Sequence, residues 1–287
     1  MNKKQKGLRR SWLYVPASKE KWYENLSKYD ADVFVLDLED SVPQHSKNFA
    51  RETLLKCNSA IPDDKEFFVR INAVQSVDFS KDIQIIPKLV PKLDGIALPK
   101  IRNPKEVKIL EKAIENTNLE IVPIIEVLEG ERNVYQIVKS SKRINFVQWS
   151  ETGDYSLDFG LFNDYLDAMF HPIATHFACN VVKCCKINEK PILDGAYLNI
   201  RDINGLEKKC NWAIGFGFDG KAALHPLQLS TINRVFTVDE SKIQKAEEII
   251  SIYENAVGSS CIPYGSSFIA EPQYKSAKRF LERSKSC

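Results

Sequence analysis

Repetition constrains this chain more than any other feature. Short, continuously apolar runs recur along it, separated by stretches of helical length. Eight runs stand out, at residues 11–17, 32–40, 66–73, 95–100, 120–127, 145–150, 192–198 and 220–225. They are apolar throughout rather than alternating, as parallel strands covered on both faces are. Between them the sequence reads as amphipathic helix: "EKWYENLSKY" after the first run, "SKNFARETLLKC" after the second, "GERNVYQIVKSS" after the fifth. After the fourth, "NPKEVKILEKAIENT" offers Asn103 as an N-cap with Pro104 at the first helical position. Alternation on this scale predicts an α/β fold, a (β/α)8 TIM barrel. An open doubly wound sheet would want a glycine-rich phosphate turn after its first strand, where "YVPASKEKW" stands instead.

Two segments exceed the repeat. Residues 157–190 predict a helical insertion after strand six. Residues 239–287 add a helix ("DESKIQKAEEIISIYENAV"), an irregular Gly/Ser stretch ("GSSCIPYGSSF") and a last helix ("EPQYKSAKRFLERS"). The expected division is a catalytic barrel domain over 8–236 and a C-terminal helical extension over 237–287, a lid on the barrel mouth or on a neighbouring subunit. The apolar stripe of the first added helix (Ile243, Ala246, Ile249, Ile250, Tyr253) predicts packing on its own barrel. Trp12, Trp22, Trp149 and Trp212 read as core or strand residues, and no haem, flavin or nicotinamide site is indicated.

Composition excludes several function classes. The chain is 44% hydrophobic and 27% charged, ordinary for a soluble globular protein, and its net charge of +2 gives no reason to expect nucleic acid. No run approaches eighteen apolar residues, and the basic start "MNKKQKGLRR" precedes no apolar h-region, so no membrane partner is expected. The seven cysteines are odd in number and form no C-x-x-C pair. They read as reduced thiols, and the expected location is cytoplasmic.

The polar residues fall where a barrel builds its active site, at the C-terminal ends of the strands. Asp37, Glu39 and Asp40 follow strand two, Arg70 and Asn72 strand three, Lys100 strand four, Glu126 strand five, and Glu151 and Asp154 strand six. Asp194 lies near strand seven and His225 ends strand eight. Cations set between acids read two ways: as a pocket for a divalent metal and an anion, or as the structural salt bridges of a barrel mouth. In the first reading, Glu126 and Asp154 suit Mg2+, which takes one or two carboxylates and leaves positions for water and substrate. Arg70 then offers a planar fork to a substrate carboxylate.

The motifs "RRSWLYVPAS", "ADVFVLDLEDSV", "FFVRINA", "DGIALPKI", "IVPIIEVLEG", "GDYSLDFG", "ILDGAYLNIRDINGL" and "GFDGKAALHPLQLSTIN" follow one another in the order and spacing of a known family. From about Arg10 to the final helix the chain resembles the HpcH/HpaI aldolases and citrate lyase beta subunits. The resemblance implies a TIM barrel, a Mg2+ cofactor, a homotrimer or other homo-oligomer, and a small 2-oxo or 2-hydroxy acid as partner, as such or within a CoA ester. The activity implied is carbon–carbon cleavage of a 3-hydroxyacyl-CoA (citryl-, citramalyl- or malyl-CoA) or a related hydroxy-oxo acid. Residue by residue, it makes Glu126 and Asp154 the metal ligands, Glu126 and Arg70 the substrate-binding groups, and Arg70, Glu39, Asp40 and Lys100 the catalytic set, Lys100 in a supporting electrostatic role. His225 is expected to cap and orient the loop before the last barrel helix.

The chain also departs from its family. Where many members carry an acid/base aspartate in the C-terminal lid, "FIAEP" places Ala270, with Glu271 beside it and turned away. Asn199 stands where an acid is common, and "WSETGD" replaces the usual residues before the metal aspartate. The alternatives are therefore an attenuated member that binds metal and oxo acid without turnover, or an aldolase acting on a substrate without CoA.

Overall fold

The structure, a computed structural model, describes residues 8–151, 154–160, 172–256 and 261–286. Eight parallel strands close into a barrel in sequence order: β1 (Ser11–Pro16), β2 (Val33–Asp37), β3 (Glu66–Arg70), β4 (Gly95–Leu98), β5 (Glu120–Ile125), β6 (Val147–Trp149), β7 (Ile192–Asp194) and β8 (Gly220–Ala223). All eight apolar runs form strands, each shorter than its run. Helices cover the outside: α1 (Glu20–Tyr23), α2 (Lys47–Cys57), α3 (Phe79–Leu89), α4 (Pro104–Ala113), α5 (Leu128–Arg132), α6 (Val134–Lys139), α7 (Asp154–Asp158), α8 (Pro172–Ile187), α9 (Ile203–Phe216) and α10 (Leu229–Phe236). The helical insertion expected over 157–190 takes in α8 and the end of α7; its residues 161–171 lie outside the described residues.

Two-sided burial explains why the runs do not alternate. Along β1, Trp12 and Tyr14 join the cluster inside the barrel with Val33, Val35, Phe68 and Ile124, while Leu13 and Val15 join the cluster shared with the helices. Each such side chain contributes about 1.5–3 kcal/mol by leaving water. Asn103 caps α4 as its sequence predicts, its side chain accepting from the Lys105 N–H at 3.0 Å, with Pro104 at the first position. Trp22 corrects one expectation: it lies exposed on α1, where no strand covers it.

The N-terminal end of the barrel is closed by an ion cluster. Arg9 donates from Nε to Glu66 at 2.7 Å and from Nη1 to Glu120 at 3.0 Å. Its guanidinium lies 5.3–5.9 Å from the ring centres of Trp12, Phe68 and Phe146.

A second compact unit begins at Thr237. Within it, α11 (Glu240–Asn255) packs with α12 (Glu271–Ser286), and Tyr253 stacks on Tyr274 at 4.5 Å. So Tyr253, of the apolar stripe expected on the barrel, has a partner inside its own unit. The stretch expected to be irregular is in part a hairpin: β9 (Cys261–Tyr264) pairs antiparallel with β10 (Ser267–Ala270). Gly265 turns it at φ 57°, in the left-handed region that tight hairpins need. Among the described residues no helix is long and apolar enough to cross a membrane.

Candidate active site

Strand register places the first pair. β2 and β3 align Asp37 with Arg70, and the guanidinium takes the carboxylate through two parallel bonds, Nε to Oδ1 and Nη2 to Oδ2, both 2.6 Å. Nη1 reaches Glu39 Oε2 at 3.1 Å. The Tyr14 ring lies 5.2 Å from the guanidinium, and its hydroxyl donates to Gln148 at 2.5 Å. Burial opposes the Arg70 charge, but Asp37 and Glu39 outweigh it and raise the pKa well above the usual value. Burial likewise opposes the Asp37 charge, and Arg70 holds that carboxyl below its ordinary range.

Lys100 gathers the second group. It follows β4 with φ 51°, left-handed for a residue that carries a β-carbon. Its backbone N–H donates to Glu126 Oε1 at 2.8 Å. Its ammonium lies 2.7 Å from Glu39, 2.9 Å from Asp40 and 3.2 Å from Asp154. Burial works against that ammonium, yet its bonds to Glu39 and Asp40 raise its pKa. Burial, opposed by Arg70, leaves Glu39 raised; Asp40 is lowered despite burial by Glu39 and Lys100. Glu126 is buried, and burial, with Glu39 adding repulsion, pushes its carboxyl up to about 8. All six residues expected at the site thus lie in one connected cluster at the C-terminal end of the barrel.

The supporting shell is built from loops locked by buried polar groups. The Lys47 ammonium, at the start of α2, donates to the carbonyls of Leu38 and Glu39 at 2.8 Å each and to Asn72 at 2.7 Å. Asn72 in turn donates to Asp82, and Arg51 pairs with both Asp78 and Asp82. On the other side, a β-carbon at Gly130 would stand 2.1 Å from the Ile101 carbonyl oxygen, so the loops carrying Lys100 and Glu126 are pressed together.

Glu151 and Asp194 lie apart from this cluster. Glu151 pairs with Lys209 at 2.6 Å, Asp194 with Lys221 at 2.5 Å, and all four side chains are fully or almost fully buried. The Lys209 ammonium lies 3.6 Å from the Trp212 ring centre. His225 accepts from the Leu227 N–H at 3.2 Å, the capping role expected of it.

Comparison with known proteins follows from this arrangement. The sequence profile of the HpcH/HpaI aldolase/citrate lyase family matches residues 10–226. The chain belongs to that family. It is 28% identical to a (3S)-malyl-CoA thioesterase of Cereibacter sphaeroides, over 86% of this chain and 84% of that one. It is 25% identical to the citrate lyase beta subunit of Leuconostoc mesenteroides subsp. cremoris, over 96% and 93%. In fold it is similar to the protein CitE of Mycobacterium tuberculosis, solved in complex with magnesium, acetoacetate and coenzyme A. The TM-score is 0.83 at 20% identity, covering 98% of this chain and 99% of that one. Membership in the aldolase/citrate lyase family, with relatives named as lyases, supports a carbon–carbon lyase with its substrate left open.

Does the cluster suit the magnesium of its family? Among the described residues no three His, Cys, Asp or Glu side chains form a ready cage. Two carboxylates suffice for an ion that keeps most positions for water and substrate. Glu126 is the deciding observation: it is buried, forms no ion pair among the described residues, and burial with repulsion from Glu39 raises it to about 8, more than the positive charge of Arg70 offsets. A divalent ion held with Asp154 would supply further positive charge, so the residues fit.

Sequence reading set Asp37 among the polar strand ends without giving it a role, and left Tyr14, Gln148 and Lys47 outside its site. For Tyr14 a signal existed: a hydroxyl among the inward-facing apolar residues of β1 needs a partner. Lys47 carries no such mark, since a lysine at a helix start reads as surface.

Proposed function

We propose that this member of the family is a Mg2+-dependent carbon–carbon lyase of the citrate lyase beta-subunit type. Its substrate would be a 3-hydroxyacyl-CoA (citryl-, citramalyl- or malyl-CoA) or a related hydroxy-oxo acid, released as a 2-oxo acid and an acetyl-type fragment. One observation carries the reading: Lys100 touches both Glu126 and Asp154, beside the largely buried guanidinium of Arg70.

Glu126 and Asp154 would hold the ion, which supplies Lewis-acid charge to the oxygen that gains electrons. Arg70 is committed to Asp37 through two of its nitrogens, which fixes its plane and leaves Nη1, now paired with Glu39, as the nitrogen that would meet a substrate carboxylate. Glu39 and Asp40 accept hydrogen bonds, from water or from the substrate hydroxyl, and Lys100 keeps both in place. The acetyl-type fragment leaves as an enolate and needs a proton. Ala270, at the end of β10, cannot give one, so in this reading a water delivers it and takes up the proton that the cleaved hydroxyl loses. The second unit is proposed as a lid on a neighbouring subunit of a homo-oligomer.

A second reading draws on Ala270 and on the similarity to a malyl-CoA thioesterase. In it the pocket binds the same acids without cleaving carbon–carbon bonds. Product analysis separates the two: citramalyl-CoA or malyl-CoA with Mg2+ should give a 2-oxo acid and acetyl-CoA, and Glu126→Ala should abolish this. Free CoA as the sole thiol product would favour hydrolysis, and no Mg2+-dependent product would overturn the lyase reading. Ala270→Asp is expected to raise citramalyl-CoA cleavage, by about tenfold or more if a general acid is restored.

A further inference from the structure

We propose that Lys100 is a positioning residue that limits the protein's ligands on a divalent cation to Glu126 and Asp154, by keeping Glu39 and Asp40 in ion pairs. The inference rests on the metal reading above. Four carboxylates surround this one residue, Glu126 on its backbone N–H and the other three on its ammonium. Any further carboxylate on the cation would take one of the open positions that a chelating substrate needs. Lys100 divides the set. Its ammonium contacts Glu39 and Asp40 at 2.7 and 2.9 Å, and Arg70 holds Glu39 from the other side at 3.1 Å. The contact with Asp154, at 3.2 Å, is the longest of the three and the one most easily given up to a metal.

The backbone completes the device. A left-handed φ of 51° is disfavoured for lysine. Here it sends the backbone N–H to Glu126 and the side chain to the other carboxylates, so one residue addresses both candidate ligands from its two ends. Glycine would keep that backbone at no steric cost but could not hold Glu39 and Asp40.

Lys100→Gly is therefore the variant of choice, with Mn2+ as the probe, followed by electron paramagnetic resonance and calorimetry on the full chain. The expected result is Mn2+ binding about tenfold or more tighter than wild type, because a like charge is removed and two carboxylates are released. Pyruvate, expected to strengthen Mn2+ binding by wild type, should no longer do so in this variant. Lys100→Arg should stay near wild type, and Glu39→Gln with Asp40→Asn in the Lys100→Gly background should erase the gain. Unchanged or weaker Mn2+ binding by Lys100→Gly overturns this inference and leaves the metal reading standing. Failure of wild type to bind Mn2+ more tightly than Glu126→Gln overturns both. Should Lys100→Gly not fold, by circular dichroism, Lys100→Gln is judged on the same outcomes.

Discussion

Arg70 balances Asp37 through two hydrogen bonds and Glu39 through a third nitrogen, all within a buried patch. Arg70→Met would leave the fully buried Asp37 without its cation, which costs about 3–5 kcal/mol. Denaturant titration should show that loss, and oxo-acid binding should vanish with it. A gentler test is offered by pH. Gln44 and Arg51 overcome burial and hold Asp78 down at about 2, below its ordinary range. Because the folded value is the lower one, the stabilisation is fully present above pH 4 and is lost as pH falls through about 2. Asp78→Asn should thus be less stable at pH 7 but show a flatter decline between pH 4 and 2, as thermal melts can check. At this scale the sequence revealed the charges at strand ends, since barrels place chemistry there. It concealed who pairs with whom: Asp37 meets Arg70 only through cross-strand register, and Lys47 reaches two carbonyls that no periodicity marks.

Among the elements, the loops after β4 and β5 depend on one another. Gly130 lies so near the Ile101 carbonyl that even a methyl group forces the backbone apart. Gly130→Ala should cost about 1–3 kcal/mol as overpacking and shift the Lys100 N–H away from Glu126. A fall in melting temperature together with weakened Mn2+ binding would show the coupling; unchanged values for both would refute it. Strands and the Asn103 cap were legible because burial and capping write themselves into residue type. The β9–β10 hairpin was not. Its strands are four residues each and largely exposed, so they lack the apolar alternation that betrays a strand.

For the whole barrel, the two ends are closed differently. The C-terminal end carries the candidate chemistry, whereas Arg9 seals the N-terminal end against Glu66, Glu120 and three aromatic rings. Arg9→Met should lower stability by about 3–5 kcal/mol, since it removes the cation that bridges two buried carboxylates. Adding Glu66→Gln and Glu120→Gln should restore most of it, and calorimetric melts would decide the matter. The alternation that announced the barrel says nothing of these plugs, which depend on residues brought together from 57 and 111 positions apart. The sealed quartet of Glu151, Asp194, Lys209 and Lys221 has its own use. Two amines with no solvent access cannot be acylated while the barrel is closed. Pulse labelling at Lys209 and Lys221, followed by mass spectrometry, would clock how often the entire barrel opens.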